Sequence, residues 1–312
     1  MSVTVLVLVE AVNDYLPILE QQGYTLILAP TPAARAAAIA EHAERIDAVL
    51  TRGPLGFRGD EMAALPHLKI ICVIGAGYEH VDLAAARAHG LVVSNGAGVN
   101  APSVADHAMA LLLALVRDIP RADASVRRGE WAKITRPSLQ GKRLGILGLG
   151  AVGMAIARRA GGFDMAVSYH NRRPRQDVSY EYRESPLALA AGCDFLIVAT
   201  PGGAQTRSMI DAAALQALGP QGFVVNIARA SVTDSAALLQ ALEQGLIAGA
   251  ALDVFDDEPQ VPDAFKALTN VVLTPHVAGL SPQASEDTVR MVGRNLEAFF
   301  NGQPLLTPVA LD

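Results

Sequence analysis

The chain has 312 residues, of which 51% are hydrophobic and 18% are charged, and its formal net charge is −6. This length predicts about two domains with a sizeable core, and the acidic balance argues against nucleic acid or an anionic membrane as partner. The apolar run at the N-terminus stops at Glu10, which is too early for a signal peptide or a transmembrane helix. We therefore expect a cytoplasmic protein with two buried thiols, Cys72 and Cys193, and with no metal site.

Short aliphatic runs alternate with alanine-rich helical patterns over residues 1–99. The runs are apolar on both faces, which is typical of a parallel sheet covered by helices on both sides. The predicted strands are residues 3–9, 25–28, 48–50, 69–74 and 91–94, and the predicted helices are residues 14–22, 31–44 and 83–89. Together they predict one doubly wound α/β domain.

A second series of the same kind follows a long predicted helix, residues 101–117, and a polar stretch that holds the only tryptophan, Trp131. Its predicted strands are residues 144–147, 166–169, 195–199, 223–227, 249–252 and 271–273, and its predicted helices are residues 151–160, 211–218 and 235–245. A last helical pattern, residues 283–301, has no obvious place in this second domain and is expected to pack on the first. A cleft between two such domains is the usual place for a small substrate.

The second series begins with the motif LGILGLGAVG, in which an apolar strand leads into a glycine turn and a helix. The first glycine permits a tight turn, the second lets the backbone approach a pyrophosphate, and the third lets helix and strand pack closely. The helix N-terminus favours the negative charge of the ligand. The motif therefore predicts a dinucleotide site formed by Gly148, Gly150, Ala151, Val152 and Gly153.

The end of the following strand indicates which dinucleotide binds. NAD-binding folds place a carboxylate about 20 residues after the glycines, where it holds the ribose 2′-hydroxyl. This chain has Asn171 there, followed by Arg172 and Arg173. A carboxylate would repel a 2′-phosphate, whereas paired guanidinium groups bind one through charge-assisted hydrogen bonds. The sequence therefore favours NADPH over NADH; the alternative is that both arginines are ordinary solvated charges.

Three polar side chains follow later strands, where ligands of open α/β sheets bind. Arg229 lies in NIARAS, Glu258 in DVFDDEP and His276 in TPHVAG. A guanidinium can hold a substrate carboxylate and polarise its carbonyl group. An imidazole can give a proton to the oxygen as hydride reaches the carbon, and a bonded carboxylate favours its charged form. The three residues together predict reduction of a 2-oxo acid, with His276 as the proton donor.

These motifs resemble those of the D-2-hydroxyacid dehydrogenase family. The similarity also includes CVIGAGYEHVDL, NAPSVADHAMALLLAL and NGQPLLTPV, and so covers nearly the whole chain. It implies an α/β protein with two doubly wound parallel-sheet domains. One is a Rossmann domain that binds NADP, residues 100–280, and the other is a flavodoxin-like substrate domain, residues 1–99 with 281–312. It also implies a homodimer through the Rossmann domain, with the helix of residues 101–117 and the Trp131 segment at the interface.

The resemblance also assigns roles to individual residues. The catalytic set that it implies is Arg229, Glu258 and His276. The backbone N–H groups that it implies for the substrate carboxylate are those around Ile74, Gly75 and Ala76. The further cofactor positions that it implies are Thr200, Pro201, Ile227, Asp253 and Gly279.

Some features depart from the family or leave the substrate open. Ala230 stands where the family usually has glycine after the catalytic arginine, and Asn171 lacks the acid of the NAD-dependent branches. Basic residues at this point look like those of glyoxylate/hydroxypyruvate and hydroxyphenylpyruvate reductases that prefer NADPH. Glyoxylate and hydroxypyruvate are the expected substrates, and Arg52 is either a group that faces an anionic substrate or a surface charge. The alternatives are a hydroxyphenylpyruvate-type reductase and a non-enzymatic protein that senses a dinucleotide and binds a partner.

Overall fold

The computed structural model describes residues 2–311, and the chain forms two compact units. Unit 1 comprises Met1–Asn100 and Gly279–Asp312, and unit 2 comprises Ala101–Ala278. The domain boundaries expected from the sequence, after residues 99 and 280, lie within two residues of these limits. Within residues 2–311, no helix is both long enough and apolar enough to cross a bilayer.

Strands and helices alternate along the described residues. The strands are β1 (Thr4–Val7), β2 (Thr25–Leu28), β3 (Ala48–Arg52), β4 (Ile70–Ile74), β5 (Val92–Asn95), β6 (Arg143–Leu147), β7 (Ala166–His170), β8 (Glu181–Tyr182), β9 (Phe195–Val198), β10 (Phe223–Asn226), β11 (Gly249–Leu252) and β12 (Val271–Leu273). The helices are α1 (Pro17–Gln21), α2 (Pro32–His42), α3 (Gly59–Ala63), α4 (Leu83–Ala88), α5 (Ala101–Val116), α6 (Ile119–Arg127), α7 (Ala151–Gly161), α8 (Pro186–Ala191), α9 (Ala212–Leu218), α10 (Ser235–Glu243), α11 (Asp263–Ala267) and α12 (Pro282–Phe300).

Unit 1 contains a five-stranded parallel sheet in the order β2-β1-β3-β4-β5, which is the flavodoxin-like order. Successive residues of a strand point to opposite faces of the sheet. Leu6 therefore joins the core on one face and Val5 the core on the other. Helix α12 covers the second face with an apolar stripe that includes Val289 and Leu296. The last helix thus packs on the sheet of unit 1.

Unit 2 contains a seven-stranded sheet in the order β12-β11-β10-β9-β6-β7-β8, with all neighbours parallel. The chain starts at β6 in the middle, runs outward through β7 to β8, and then returns to run outward through β9 to β12. This is a Rossmann order, and its switch point lies beside β6, where ligands of such sheets bind. The strand–turn–helix of the glycine motif therefore lies at the switch point.

The sheet of unit 2 is apolar on both faces, as the continuous aliphatic runs of its strands predict. Ile146 and Ile197 are fully buried on the face covered by α5 and α7, and Leu196 and Val224 are fully buried on the face covered by α8, α9 and α10. Burial of one such side chain contributes about 1.5–3 kcal/mol. The sheet is therefore a rigid support for the loops at its carboxyl edge.

Several short elements were not predicted from the sequence. They are β8, α3, α6, α8 and α11. Most of them are too short to show a periodic pattern, and α6 has no buried residue, so no apolar stripe marks it. A cap does mark α8, because the Ser185 hydroxyl accepts a hydrogen bond from the backbone N–H of Ala188, and the Ser-Pro pair that starts it was a signal in the sequence.

Candidate active site

The glycine motif forms the turn between β6 and α7, and its three glycines have different surroundings. Gly148 has a φ of +99°, and a Cβ atom there would lie 2.7 Å from the backbone nitrogen of Thr200. A Cβ atom on Gly153 would overlap the carbonyl oxygen of Gly148. Gly150 has nothing within 4 Å of its Cβ position. The fold therefore requires Gly148 and Gly153, whereas Gly150 leaves open space in front of the helix.

The first turn of α7 follows this open space. Ala151 and Val152 are its first residues, and Gly150 and Ala151 are both exposed. The first N–H groups of a helix have no partner within it, so they are free to bind an anion. An exposed helix N-terminus behind a glycine without steric neighbours fits the pyrophosphate of a dinucleotide.

The loop after β7 is bonded to the middle of the glycine turn. Asn171 Oδ1 accepts a hydrogen bond of 2.6 Å from the backbone N–H of Leu149, and Arg175 Nη1 donates one of 2.8 Å to the Leu149 carbonyl oxygen. A backbone N–H requires an acceptor, so the amide oxygen of Asn171 must point to Leu149. The Asn171 NH₂ group then remains as a donor, which suits the acceptor oxygens of a phosphate.

Arg172 and Arg173 lie between these two anchors, and both are exposed. Arg172 Nη1 lies 3.5 Å from Gln205 Oε1, which is at the limit of a hydrogen bond. Arg175 was not among the predicted site residues, and its contacts differ from those of Arg172 and Arg173. It pairs with Asp177 and donates a hydrogen bond to the Leu149 carbonyl oxygen. The run 172–175 therefore contains two accessible guanidinium groups and a third that fixes their loop.

His276 and Glu258 form a direct hydrogen bond. His276 Nδ1 lies 2.7 Å from Glu258 Oε2, and the other carboxylate oxygen accepts a hydrogen bond of 3.0 Å from the backbone N–H of Phe255. The carboxylate can only accept, so Nδ1 carries a proton and Nε2 is the atom left to react. The imidazole is about 40% exposed. The pair therefore presents Nε2 to a ligand and keeps a negative charge behind it.

Arg229 lies in the loop after β10 and is half-buried. The side-chain amide of the buried Asn226 fixes this loop, because it donates to the Arg229 carbonyl oxygen at 3.1 Å and accepts from the Ala228 N–H at 3.0 Å. A Cβ atom on Gly202, in the loop after the neighbouring strand β9, would lie 2.8 Å from Arg229 Cγ. Neither Asn226 nor Gly202 was predicted from the sequence. Asn226 fixes the backbone at Arg229, and Gly202 leaves room for the Arg229 side chain.

The other predicted cofactor positions of unit 2 lie at the same edge of its sheet. Thr200 and Pro201 come after β9, Ile227 after β10 and Asp253 after β11. Gly279 belongs to unit 1, where a Cβ atom would lie 2.6 Å from Asn100 Nδ2. In unit 2, this edge of the sheet thus carries the glycine turn, four further predicted cofactor positions and the candidate catalytic set.

The predicted substrate turn lies at the end of β4 in unit 1. Gly75 has a φ of +78°, its carbonyl oxygen accepts from the Gly96 N–H at 2.7 Å, and the Ala76 carbonyl oxygen accepts from Asn95 Nδ2 at 2.9 Å. These bonds fix the turn that follows Ile74. Its role in holding a carboxylate stays a prediction.

The chain is similar to known proteins of one enzyme family. The model of the family "D-isomer specific 2-hydroxyacid dehydrogenase, NAD binding domain" matches residues 109–278. The 2-ketogluconate reductase of Gluconobacter oxydans (strain 621H) is 42% identical over 270 residues, 86% of this chain and 87% of the relative. The hydroxyphenylpyruvate reductase of Plectranthus scutellarioides is 40% identical over 275 residues, 87% of this chain and 88% of the relative.

One solved structure extends the similarity to both units. It is the crystal structure of the NADPH-dependent glyoxylate/hydroxypyruvate reductase from Sinorhizobium meliloti in complex with NADP and malonate. It has a TM-score of 0.88 and 37% sequence identity to this chain, and the match covers 100% of this chain and 98% of that one. With the family model and the two relatives, it shows that the chain is an oxidoreductase that belongs to the D-isomer specific 2-hydroxyacid dehydrogenase family.

Proposed function

We propose that this protein reduces small 2-oxo acids, glyoxylate and hydroxypyruvate first, to D-2-hydroxy acids with NADPH. The observation that carries the proposal is the 2.7 Å hydrogen bond between His276 Nδ1 and Glu258 Oε2. It leaves Nε2 as the reacting atom of an imidazole, at the same sheet edge as the glycine turn. An acid of this kind is what reduction of a carbonyl group needs in addition to hydride.

The proposed reaction adds a hydride and a proton to the two ends of the substrate carbonyl group. NADPH, when bound, supplies the hydride to the carbonyl carbon. His276 gives its Nε2 proton to the carbonyl oxygen, and Glu258 stabilises the imidazolium before the transfer. The Arg229 guanidinium binds the substrate and draws electron density toward the carbonyl oxygen. After the transfer the imidazole is neutral and regains a proton from water before the next turnover.

The preference for NADPH rests on the loop after β7. Arg172 and Arg173 are accessible cations, and Asn171 offers an NH₂ donor because Leu149 occupies its oxygen. Three donor groups without a carboxylate favour a 2′-phosphate over a bare ribose hydroxyl. The Sinorhizobium meliloti enzyme, which is described as NADPH-dependent, supports the same preference.

The substrate carboxylate is proposed to bind the backbone N–H groups of the fixed turn at Ile74, Gly75 and Ala76. A turn held by Asn95 and Gly96 presents its N–H groups without further loss of conformational freedom. Arg52, at the end of β3, is exposed. It is proposed to favour substrates whose side chain is anionic or polar, and a comparison of kcat/KM between such substrates and pyruvate tests this role.

Steady-state kinetics with NADPH and NADH test the proposal. The substrates are glyoxylate, hydroxypyruvate, pyruvate, 4-hydroxyphenylpyruvate and 2-ketogluconate. We expect the highest kcat/KM for glyoxylate or hydroxypyruvate with NADPH. If no 2-oxo acid oxidises either cofactor while dinucleotide binding is intact, the protein is a dinucleotide-sensing binding protein instead.

A larger substrate is the second candidate, and it rests on the two relatives with 42% and 40% identity, named 2-ketogluconate reductase and hydroxyphenylpyruvate reductase. The same acid and guanidinium serve these substrates, because only the group attached to the 2-oxo acid differs. A kcat/KM that is higher for either of them than for glyoxylate would assign this chain to that class.

A homodimer through the Rossmann domain, with the helix of residues 101–117 and the Trp131 segment at the interface, is proposed as well. Helix α6 and the segment after it expose large apolar side chains, with Trp131 80% exposed and Val126 and Ile134 each 57% exposed. Exposed apolar patches mark interaction surfaces. Size-exclusion chromatography with light scattering should give twice the chain mass of 32.7 kDa, and Trp131→Glu should shift the species toward the monomer.

A further inference from the structure

The loop that carries His276 is held by a fully buried carboxylate. Asp253 is 0% exposed, and its Oδ1 accepts hydrogen bonds from the Thr274 hydroxyl at 2.6 Å and the Val277 N–H at 2.9 Å. Its Oδ2 accepts from the Ala278 N–H at 2.9 Å. These bonds lie on both sides of His276, whose φ is +53°. A residue other than glycine in this region costs of order 1–3 kcal/mol, so the surrounding bonds must hold it there.

Helix α5 supplies two further contacts to the same loop. Ser103 Oγ donates to the Ala278 carbonyl oxygen at 2.9 Å, and His107 Nε2 lies 3.1 Å from Thr274 Oγ1. The two residues are four positions apart, so they project from the same face of the helix. His107 Nε2 also lies 3.5 Å from Asp253 Oδ1. The catalytic loop therefore has anchors on α5 at Thr274 and Ala278.

The direction of these hydrogen bonds follows from the groups that form them. An ionised Asp253 carboxylate has no proton to donate and can only accept hydrogen bonds. The Thr274 hydroxyl therefore donates its single proton to Asp253. Toward His107 the same hydroxyl can only accept, so His107 Nε2 carries a proton. His107 therefore donates a hydrogen bond to Thr274, and Thr274 donates one to Asp253. Asp253 also accepts a hydrogen bond from the Val277 N–H.

We propose that His107 and Ser103 are positioning residues for His276. They hold Thr274 and Ala278, keep His276 at its unfavourable φ, and so keep Nδ1 on Glu258. The proposal rests on the proposed function only in that His276 is the proton donor there. Loss of the His107 donor leaves the Thr274 hydroxyl and the buried carboxylate with one partner fewer, and the loop can then relax toward an ordinary backbone conformation.

The test uses two substitutions of His107 in the full-length protein. His107→Leu removes the donor, and His107→Gln keeps an N–H donor on a side chain of similar length. The first readout is the NMR signal of the hydrogen-bonded His276 Nδ1 proton in ¹⁵N-histidine-labelled protein without substrate, identified by its absence from His276→Ala. We expect the wild type and His107→Gln to show this downfield signal and His107→Leu to lose it. The remaining signals of His107→Leu should be those of a folded protein.

The second readout is kinetic. We expect His107→Leu to lower kcat by roughly 10- to 100-fold, because a misplacement of about 1 Å at a reacting group has an effect of this size. KM and the dissociation constant of the cofactor should stay unchanged, and His107→Gln should restore most of kcat. Ser103→Ala should show a smaller loss in the same direction.

The proposal is overturned if His107→Leu keeps both the Nδ1 signal and kcat, or if His107→Gln is as impaired as His107→Leu. Should His107→Leu fail to fold, Thr274→Val removes the hydroxyl between His107 and Asp253 with little change in shape. The proposal is then overturned if Thr274→Val keeps both the Nδ1 signal and kcat, or if His107→Gln loses them to the same extent as Thr274→Val. A wild type that reduces no 2-oxo acid refutes the proposed function, whereas the NMR signal still tests the positioning role.

Discussion

His276 Nδ1 and Glu258 Oε2 lie 2.7 Å apart, although the two residues are 18 positions apart in the chain. Glu258 itself is fixed by the Phe255 N–H, so the carboxylate cannot turn away from the imidazole without losing a second bond. The pair is thus prepared before any substrate binds. Preorganised groups of this kind lower the barrier of a reaction because they need no rearrangement in the transition state.

Removal of the imidazole should abolish turnover with little effect on cofactor binding. We expect His276→Ala to lower kcat roughly 100- to 10,000-fold, the range found for a general acid, with the NADPH dissociation constant nearly unchanged. Glu258→Gln should lower kcat less, because the amide oxygen still accepts from Nδ1 but no longer carries a charge. His67→Ala is the matched control, since His67 is 57% exposed in unit 1. An active His276→Ala would contradict the role of this residue.

The accessible arginines should discriminate between the two cofactors. Arg172→Ala/Arg173→Ala should weaken the affinity for NADPH by roughly 10- to 100-fold and leave the affinity for NADH nearly unchanged. The reason is that hydrogen bonds to charged groups contribute about 1.5–3 kcal/mol. Isothermal titration calorimetry measures both dissociation constants. Arg87→Ala/Arg290→Ala removes the same charge from exposed positions of unit 1 and serves as control. Equal losses for NADPH and NADH in the first variant would refute the 2′-phosphate assignment.

Asn171→Asp should shift the cofactor preference toward NADH without disturbing the glycine turn. One carboxylate oxygen can still accept from the Leu149 N–H, so the bond of 2.6 Å is kept. The other oxygen replaces the NH₂ donor, where it repels a phosphate and accepts from a ribose hydroxyl. We expect the ratio of NADH to NADPH affinity to rise, and the melting temperature to stay close to that of the wild type. An unchanged ratio would show that the Asn171 amide does not face the ribose.

The glycines of the turn should separate stability from binding. Gly153→Ala places a Cβ atom on the carbonyl oxygen of Gly148 and should destabilise the fold by about 1–3 kcal/mol or more. In Gly150→Ala the new Cβ atom has no neighbour within 4 Å, so the free energy of unfolding should stay unchanged. The same atom would occupy the open space proposed for the pyrophosphate, so the affinity for the dinucleotide should fall. Denaturant unfolding and calorimetric titration of both variants measure the two effects. A Gly150→Ala variant with wild-type affinity would place the pyrophosphate elsewhere.

Neither cysteine should react while the protein is folded. Burial raises the pKa of the Cys72 thiol to about 12 and that of the Cys193 thiol to about 12. The thiolate is the reactive form, so at pH 8 only about one thiol in 10,000 is ionised. A disulfide reagent such as 5,5′-dithiobis(2-nitrobenzoate) should therefore label both thiols only after unfolding in guanidinium chloride. Rapid labelling of native protein at pH 8 would contradict the burial of these groups.

The sequence by itself predicted the two parallel sheets, because most of their strands are continuous apolar runs and the turn at the glycine motif has a local signature. It also predicted which residues stand at the carboxyl ends of β10 and β12, including Arg229 and His276. Short elements such as β8 and α3 were missed, since a few residues show no period. Helix α6 was missed because nothing in it is buried.

Tertiary structure alone decided how distant side chains meet. The Asn171 oxygen turns to Leu149, Arg175 holds the loop instead of facing solvent as a third free cation, and His107 reaches Thr274 across 167 positions of the chain. Local patterns encode which face of an element is apolar, and they do not encode which donor finds which acceptor once the sheet has formed. Those pairings depend on the register and order of the strands, and in unit 2 they hold His276 on Glu258.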